Sequence, residues 1–150
     1  MAPLPELRRL VEQFRAALPV AIPRFPPYLH QRMEAFPRNS CDHASALLGR
    51  FLRENGFPNV QYVYNGYRGT RAEGHAWLVV DGDIIVDITA SQFPDQKDEI
   101  IVSRDSAWHS AFEETRIGPV EEQLGFNHAL HAEYDLAYAE ILCAIGRRSE

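Results

Sequence analysis

The feature that most constrains the fold is a change in the spacing of apolar residues that occurs just after Gly56. The apolar residues of 41–54 recur at helical spacing, which predicts an amphipathic helix that ends before that glycine. Beyond it the period becomes two, and short apolar runs over 60–64, 75–80 and 84–88 predict three strands. This order favours an α+β fold in which the helix packs on a small antiparallel sheet.

Further helices are predicted on both sides of this region. Apolar residues at helical spacing predict a helix over 4–18, which Pro19 is expected to end because proline breaks a helix interior. A proline-rich connector is then expected to run extended as far as a short helix over 28–36. A last apolar stripe predicts a helix over 128–146. Residues 94–127 show no spacing that assigns an element.

The length and composition of the chain narrow the class of protein. Its 150 residues argue for one domain, 1–150, with a core that needs no metal or disulfide. A net charge of -6 argues against nucleic acid or an anionic membrane as a partner. The first residues do not read as a secretory signal, and no apolar run approaches the ~18 residues of a membrane span, so we expect a cytoplasmic protein. No calcium-loop or nucleotide-binding glycine pattern is present, so we expect no cofactor.

The two cysteines, Cys41 and Cys143, are too few for a disulfide framework. Cys41 falls in the first turn of the helix predicted over 41–54, after the candidate N-cap residues Asn39 and Ser40. A free thiol has a pKa of ~8.5, but the positive end of a helix dipole and its free N–H groups stabilise a thiolate. The same N–H groups can bind an oxyanion when the cysteine attacks a carbonyl. Cys143 lies inside the predicted C-terminal helix and is interpreted as a packing residue.

His75 and Asp87 complete a candidate catalytic set through the register of two strands. A three-residue loop over 80–82 would place Gly82 in the left-handed conformation that such a loop requires. That loop would set His75 directly opposite Asp87. Opposite residues in an antiparallel pair share a face, with Cβ atoms ~5 Å apart, so the carboxylate can orient the imidazole. A two-residue loop would separate them onto opposite faces, so the set predicts an odd-numbered loop.

Three segments of the chain carry motifs that extend beyond these single residues. In the first segment, 39–48, the cysteine begins a predicted helix. Two further stretches, 52–58 and Asn65-Gly66-Tyr67, follow this segment in the sequence. Residues 75–80 form a histidine-led strand, and 86–89 form a strand with the aspartate. In type and in order, these motifs resemble the nucleophile segment, the histidine strand and the aspartate strand of the transglutaminase-like superfamily.

The resemblance covers about residues 38–93 and implies a papain-like, transglutaminase-like core. It implies Cys41 as nucleophile, His75 as general base and Asp87 as the group that orients the histidine. We therefore expect a cysteine hydrolase that acts on amide bonds through an acyl-thioester intermediate, with a peptide, a protein or a small amide or thioester as substrate. Two alternatives stay open: an acyltransferase that acylates an amine with the same triad, and a catalytically inactive protein-binding module.

Other residues near Cys41 are weaker candidates. His43 follows Cys41 by two positions and lies off its helix face, so it is a poor base. A metal site that adds His75 and Asp87 to this pair matches no standard zinc spacing, and no metal is expected. No upstream Trp or Gln presents itself as a second oxyanion donor, so that role stays open.

The remaining histidines and aromatic residues are assigned to packing or surface. His128 and His131, three positions apart on a predicted helix, are interpreted as surface residues, and His30 and His109 have no context that assigns them a role. Two roles are open for Trp77, Trp108 and the tyrosines 62, 64 and 67: lining a substrate groove, and packing in the core and the hairpin, which is the role expected for most of them. The loops expected to determine specificity are 19–37, 65–74 and 94–127.

Overall fold

The computed structural model describes residues 4–65, 74–112, 116–119 and 128–149, and its architecture is α+β. The helices are α1 (Leu4–Ala21), α2 (Pro27–Met33), α3 (Cys41–Glu54), α4 (Ala107–Ser110) and α5 (His128–Ser149). The strands are β1 (Val60–Asn65), β2 (His75–Val80), β3 (Ile84–Asp87), β4 (Ile101–Ser103) and β5 (Arg116–Pro119). Short 3-10 turns lie at Ile22–Arg24 and Ala90–Gln92.

The strands form one antiparallel sheet in the order β4-β3-β2-β1-β5. The first three strands are neighbours in space as they are in sequence, and β4 and β5 extend the two edges. β2 is therefore the central strand. Its first residue, His75, lies at one end of the sheet, beside the last residue of β1, Asn65.

One face of the sheet packs against the helices. Leu78 and Val80 of β2 and Val86 of β3 are buried in one continuous core with apolar residues of α1, α3 and α5. α3 lies against β1 and β2, and α1 lies against α5. Each fully buried aliphatic side chain contributes roughly 1.5–3 kcal/mol, so this core holds α3 firmly on the sheet.

The opposite face of the sheet carries a smaller aromatic cluster. Its members are Val63, Trp77 and Phe112, with the partly buried Val79, Ile85 and Trp108 packed against them. Side chains alternate along a strand, so His75 lies on the same face as Trp77, and Asp87 on the same face as Ile85. Both polar residues therefore lie on the aromatic face of the sheet.

The N-terminal helix differs from its prediction at the C-terminal end. The expectation that Pro19 ends α1 is wrong, because the helix continues to Ala21. Leu18 and Ala21 are fully buried, and a proline in the last turn removes only one internal hydrogen bond, so packing outweighs that loss. The connector, expected to be extended, contains the 3-10 turn Ile22–Arg24. α2 then begins at Pro27, where a missing N–H costs little.

The other helices agree with their predictions more closely. α3 has the predicted bounds, and α5 begins at the predicted residue and continues to Ser149. Segment 94–127, for which no element is predicted, contains β4, α4 and β5 within its described part. No helix in the described ranges is long and apolar enough to cross a membrane.

The turn between β2 and β3 has the predicted odd number of residues. Val80 pairs with Ile84, which leaves three residues, 81–83, in the loop. Asp81 and Gly82 adopt φ values of 53° and 83°, and the N–H of Asp83 donates to the carbonyl of Val80 at 3.4 Å. The prediction that Gly82 takes the left-handed conformation is confirmed.

The register across this turn differs from the predicted one. Val79 pairs with Ile85 rather than with Asp83, which shifts β3 by two residues relative to β2. The expectation that His75 lies directly opposite Asp87 is therefore wrong. A shift of two keeps both residues on one face as diagonal neighbours. Such neighbours are ~7–8 Å apart, within reach of long side chains.

Candidate active site

Cys41 is the first residue of α3. The predicted side-chain cap is not formed: Ser40 occupies the N-cap position, but its hydroxyl donates to the carbonyl of Arg38 at 2.8 Å. Asp42 accepts the N–H of His43 at 2.8 Å. The first N–H groups of a helix have no partner inside the helix. Cys41 is the first residue inside the helix, so no carbonyl of the helix accepts its N–H, which can donate to an anion formed at the helix start.

His75 connects Cys41 to Asp87. Its side chain is fully buried, and Nε2 lies 2.7 Å from Oδ2 of Asp87. The side chain of Cys41 interacts with the same imidazole and helps to raise its pKa. Because Asp87 occupies Nε2, we assign Nδ1 as the nitrogen that faces the thiol. The structure thus brings together the three residues that the sequence selected.

Two opposing effects govern the pKa of His75. Burial lowers it, but the charge of Asp87, the hydrogen bond to that carboxylate and the interaction with Cys41 together raise it to about 9. An imidazole of this basicity holds a proton at neutral pH. The arrangement therefore places a protonated imidazole beside the side chain of Cys41.

Asp87 is held ionised inside the protein. Burial raises the pKa of this carboxyl, but the charge of His75 and hydrogen bonds from His109 and His75 outweigh burial and hold the pKa well below its usual range. The second oxygen, Oδ1, accepts the N–H of Thr89 at 2.9 Å. A buried carboxylate without such donors is strongly destabilising, so these three partners allow Asp87 to stay charged.

His109, which the sequence analysis left without a role, belongs to the same network. Its Nε2 lies 2.7 Å from Oδ2 of Asp87, the oxygen that also binds His75. Oγ of Ser106 lies 2.6 Å from Nδ1 of His109 and accepts the N–H of His109 at 3.3 Å. Ser106 is the N-cap residue of α4. The sequence carried one weak signal for this unit, a serine three residues before a histidine, as at the start of a helix.

The partners assign the proton on each ring. The carboxylate of Asp87 can only accept, so His75 and His109 both donate from Nε2. Nδ1 of His109 faces the hydroxyl of Ser106, which can both donate and accept a hydrogen bond. His75 keeps Nδ1 for proton exchange with Cys41. The hydrogen bonds therefore fix the tautomer that a general base facing the thiol requires.

Aromatic rings enclose His75. Phe93 packs edge-on at 5.1 Å, Trp108 edge-on at 5.7 Å, and Phe112 stacks at 5.8 Å between ring centres. These rings keep water away from the imidazole and lower the local dielectric. Hydrogen bonds and charge interactions are stronger in such surroundings than in water.

A cavity of about 740 Å³ lies over Cys41. It is formed by α2 with the segment after it, by the start of α3, and by the adjoining ends of β1 and β2; its lining residues are Tyr28, Gln31, Arg32, Glu34, Ala35, Asn39, Cys41, Asp42, Tyr64 and Gly74. Tyr28 and Tyr64 are 40% and 44% exposed, so the cavity opens to solvent. Cys41 is thus accessible from the cavity, whereas His75 is buried behind it.

This cavity tests several expectations about loops and aromatic residues. Segment 19–37 contributes to its wall, as expected of a specificity loop, but most of segment 65–74, with Tyr67, lies outside the described residues. Tyr62 is buried, as expected of a packing residue. Tyr64 lines the cavity, as the alternative of a groove residue expects, because it lies near the end of β1 and is 44% exposed.

The remaining cysteine and histidines lie away from this chemistry. Nδ1 of His43 lies 2.7 Å from the hydroxyl of Tyr134, which ties the ring to α5, and burial lowers the pKa of His43. His131 is exposed, as expected, and the side chain of His128 lies outside the described part. Cys143 is exposed on α5, so its interpretation as a packing residue is wrong.

Metal-ligand side chains cluster once within the described residues, at His75, Asp87 and His109. Both Nε2 atoms lie 2.7 Å from the same carboxylate oxygen. Two ligand atoms on a tetrahedral zinc ion, each ~2.0–2.1 Å from it, are roughly 3.3 Å apart. The shorter distances fit hydrogen bonds, and we assign the cluster as a hydrogen-bond network. His43, bound to Tyr134, lies outside it.

Comparisons with protein-family models, with curated proteins and with solved structures found no match to this chain.

Proposed function

We propose that this chain is a transglutaminase-like cysteine hydrolase that cleaves amide bonds of a peptide, a protein or a small amide. The observation that carries the proposal is the environment of His75. One nitrogen of this buried ring binds the carboxylate of Asp87 at 2.7 Å, and the ring also interacts with the side chain of Cys41. This is the arrangement by which a thiol becomes a nucleophile at neutral pH.

In the proposed reaction Cys41 attacks as a thiolate while its proton lies on Nδ1 of His75. The thiolate attacks the carbonyl carbon, which forms a C–S bond and moves the carbonyl π pair onto oxygen. The pair returns as the C–N bond breaks, and the leaving nitrogen takes the proton from Nδ1. Asp87 holds the ring in place and stabilises the imidazolium without taking its proton. The product of this half-reaction is an acyl thioester on Cys41.

The acceptor of the acyl group decides between hydrolysis and transfer. The cavity over Cys41 opens to solvent past Tyr28 and Tyr64, so water reaches the thioester. His75 then takes a proton from water, and the hydroxide equivalent displaces the thiolate to release a carboxylic acid. This access favours hydrolysis, and acylation of an amine in the same cavity remains the alternative with the same triad.

The position of α3 supports the family assignment. Its first residue, Cys41, lies beside the start of β2 and the end of β3, which carry His75 and Asp87. A nucleophile at a helix start facing adjacent antiparallel strands agrees with the papain-like core that the sequence resemblance implies. The alternative of an inactive binding module accounts less well for a buried carboxylate that binds donors from three residues, because a buried charge is costly to maintain.

The proposal is tested by labelling with iodoacetamide between pH 4 and pH 9, read by mass spectrometry of the separate cysteine peptides. Cys143 serves as an internal reference, because it is an exposed thiol on α5. At pH 6 an ordinary thiol is protonated and reacts slowly. We expect Cys41 to label much faster than Cys143 at this pH, and His75→Ala to remove the difference.

His43→Ala is the matched control, because it removes a second buried histidine close to Cys41 whose ring is bound to Tyr134. It should leave the fast labelling of Cys41 in place. If Cys41 labels no faster than Cys143, and His75→Ala changes nothing, the catalytic proposal fails and a binding role becomes the better account. If the activation is present, partition of a released acyl group between water and added amine separates hydrolysis from transfer.

A further inference from the structure

We infer that the cavity over Cys41 selects a small amide that carries a free amino-acid group, whose carboxylate binds Arg32 and whose ammonium binds Asp42, a substrate class that rests on the proposed function. Both residues line this cavity together with the nucleophile. Most of the other lining side chains are polar as well. Pockets for small molecules have volumes of roughly 300–1,000 Å³ and are mostly apolar. A polar cavity of about 740 Å³ therefore suits a small polar ligand.

Arg32 is held so that its charge stays available. α2 places Tyr28, Gln31 and Arg32 on one face, and all three line the cavity. The guanidinium of Arg32 lies over the ring of Tyr28, 5.3 Å from the ring centre, and Tyr28 packs edge-on against His43 at 6.0 Å. Within the described residues, Arg32 forms no salt bridge. Stacking uses the flat face of the guanidinium and leaves its N–H edge for two hydrogen bonds to a carboxylate.

Asp42 supplies the opposite charge beside the nucleophile. Its Oδ1 accepts the backbone N–H of His43 at 2.8 Å, which fixes the carboxylate at the start of α3. Its Oδ2 lies 3.7 Å from Nε2 of His43, and the side chain of Asp42 is 55% exposed. Burial lowers the pKa of His43, so this ring is neutral at pH 7 and leaves the carboxylate uncompensated. A carboxylate accepts up to about four hydrogen bonds, so Asp42 can still bind an ammonium group.

The two charges lie near one another without pairing. Both act on the ring of His43: burial lowers its pKa most, the carboxylate of Asp42 raises it and the guanidinium of Arg32 lowers it. The two groups nevertheless form no salt bridge with each other. Opposite charges held apart in one cavity are complementary to a ligand that carries both. A substrate with one charge would leave the other uncompensated, and a residue inside a peptide chain carries neither terminal charge.

The test uses thiol–disulfide exchange at Cys41 with four disulfides that differ only in their polar groups. Cystine carries the ammonium and the carboxylate, cystamine only the ammonium, 3,3′-dithiodipropionate only the carboxylate, and bis(2-hydroxyethyl) disulfide neither. The thiolate of Cys41 attacks one sulfur, the S–S bond breaks, and the other half leaves as a thiolate that takes a proton from solvent. Mass spectrometry of the cysteine peptides follows the mixed disulfide at Cys41 and at the exposed Cys143, whose rates correct for the intrinsic reactivity of each probe.

Each variant should remove the advantage of one group. After correction, we expect cystine to react at Cys41 roughly tenfold faster than the uncharged disulfide. Arg32→Gln should slow cystine and dithiodipropionate roughly three- to tenfold without slowing cystamine. Asp42→Asn should slow cystine and cystamine by a similar factor without slowing dithiodipropionate. Because all rates at Cys41 are referred to the uncharged disulfide, a change in thiol reactivity caused by either variant cancels.

The matched control is Arg38→Gln, because Arg38 is an exposed arginine that follows α2 and does not line the cavity. It should keep the wild-type order of the four probes. Equal proportions of the four products at both cysteines overturn the inference. Glu34 is the other carboxylate of the lining. Loss of the advantage of cystamine in Glu34→Gln, and not in Asp42→Asn, also overturns the assignment.

Failure of the inference and failure of the proposed function give different results. A Cys41 that iodoacetamide labels rapidly at pH 6, but that does not distinguish the four disulfides, refutes the amino-acid subsite and leaves the hydrolase proposal standing. A Cys41 that selects cystine through Arg32 and Asp42, but that labels no faster than Cys143 with iodoacetamide, supports the subsite and refutes the hydrolase.

Discussion

His109 Nε2 lies 2.7 Å from Oδ2 of Asp87, as close as the imidazole of His75 to the same oxygen. One carboxylate oxygen thus accepts two imidazole N–H groups. Hydrogen bonds to a charged group contribute about 1.5–3 kcal/mol, roughly twice a neutral one. His109 therefore stabilises the ionised form of Asp87, and it acts on the proposed reaction as a positioning residue.

Replacement of His109 measures this hydrogen bond. His109→Leu removes the donor and keeps a buried apolar side chain, so the free energy of unfolding should fall by about 2–4 kcal/mol. His109→Gln keeps an N–H₂ group and should recover about half of that loss. Urea denaturation gives both values. His131→Leu, at an exposed histidine on α5, should stay within about 0.5 kcal/mol. An equal loss in the Leu and Gln variants would show that the hydrogen bond is not the cause.

The raised pKa of His75 predicts how stability depends on pH. Between pH 6.5, where the unfolded histidine loses its proton, and about 9, the folded protein binds a proton that the unfolded chain does not. Stability from His75 is therefore fully present below pH 6.5 and is lost as pH rises toward 9. The free-energy difference between wild type and His75→Gln should shrink by about 3 kcal/mol over this range. Urea unfolding at pH steps measures it.

His43 provides the control of opposite sign. Its pKa is lowered, first by burial, so the folded protein keeps this ring neutral while the unfolded chain protonates it. The stability that His43 contributes is therefore lost as pH falls through 6.5. The difference between wild type and His43→Gln should grow as pH rises, whereas that for His75→Gln should shrink. If both differences follow the same course, the opposite assignments of the two pKa shifts are wrong.

The pairing of His75 with Asp87 follows from the sequence because it depends on whether the loop has an odd or even number of residues, and not on the exact register. An odd loop places His75 and Asp87 on one face, and that holds although β3 is shifted by two residues. The shift escaped prediction because Asp81, like Gly82, adopts a left-handed φ of 53°, which moves the loop by one residue. The sequence predicts a left-handed φ at a glycine such as Gly82, but it gives no comparable reason to predict one at an aspartate.

Parts of the site that depend on contacts between distant segments did not follow from sequence. His109 lies on a helix of four residues, which is too short to show helical spacing in the sequence. Its role depends on its hydrogen bond to Asp87, which lies 22 residues earlier in the chain. Cys143 was misassigned because α5 carries apolar residues on its exposed side as well: Leu136 and Leu142 are 59% and 43% exposed. Apolar spacing along such a helix does not identify the buried face.

Asp87→Asn tests the role of the charge in the proposed mechanism. An amide oxygen binds the two imidazole N–H groups weakly, and the amide N–H₂ can turn His75 into the wrong tautomer. Acylation of Cys41 by p-nitrophenyl acetate should fall about 10³–10⁴-fold, the size of effect known for such a change in a serine triad. Fast labelling of Cys41 at pH 6 should be lost as well, because His75 then holds its proton less tightly.

Asp83→Asn is the matched control for this charge. Asp83 lies in the same hairpin, and its carboxylate pairs with Arg104 at 3.3 Å with both side chains partly exposed. Such surface pairs contribute about 0–1 kcal/mol, so acylation and labelling should stay near wild type. A loss of activity in Asp83→Asn comparable to that in Asp87→Asn would attribute the effect to the hairpin and not to the buried carboxylate.

Replacement of glycine by alanine should change stability in opposite directions at Gly82, which lies in the turn between β2 and β3, and at Gly146, which lies in α5. Gly82 has φ +83°, and a Cβ there would meet nothing within 4 Å, so Gly82→Ala adds only conformational strain. It should destabilise by about 1 kcal/mol and lower the melting temperature by about 2–4 °C. Gly146 lies in α5 with equal space around it, and Gly146→Ala should stabilise by about 0.5–1 kcal/mol. Thermal unfolding reports both. A neutral or stabilising Gly82→Ala would contradict the left-handed turn, and with it the loop that places His75 and Asp87 on one face.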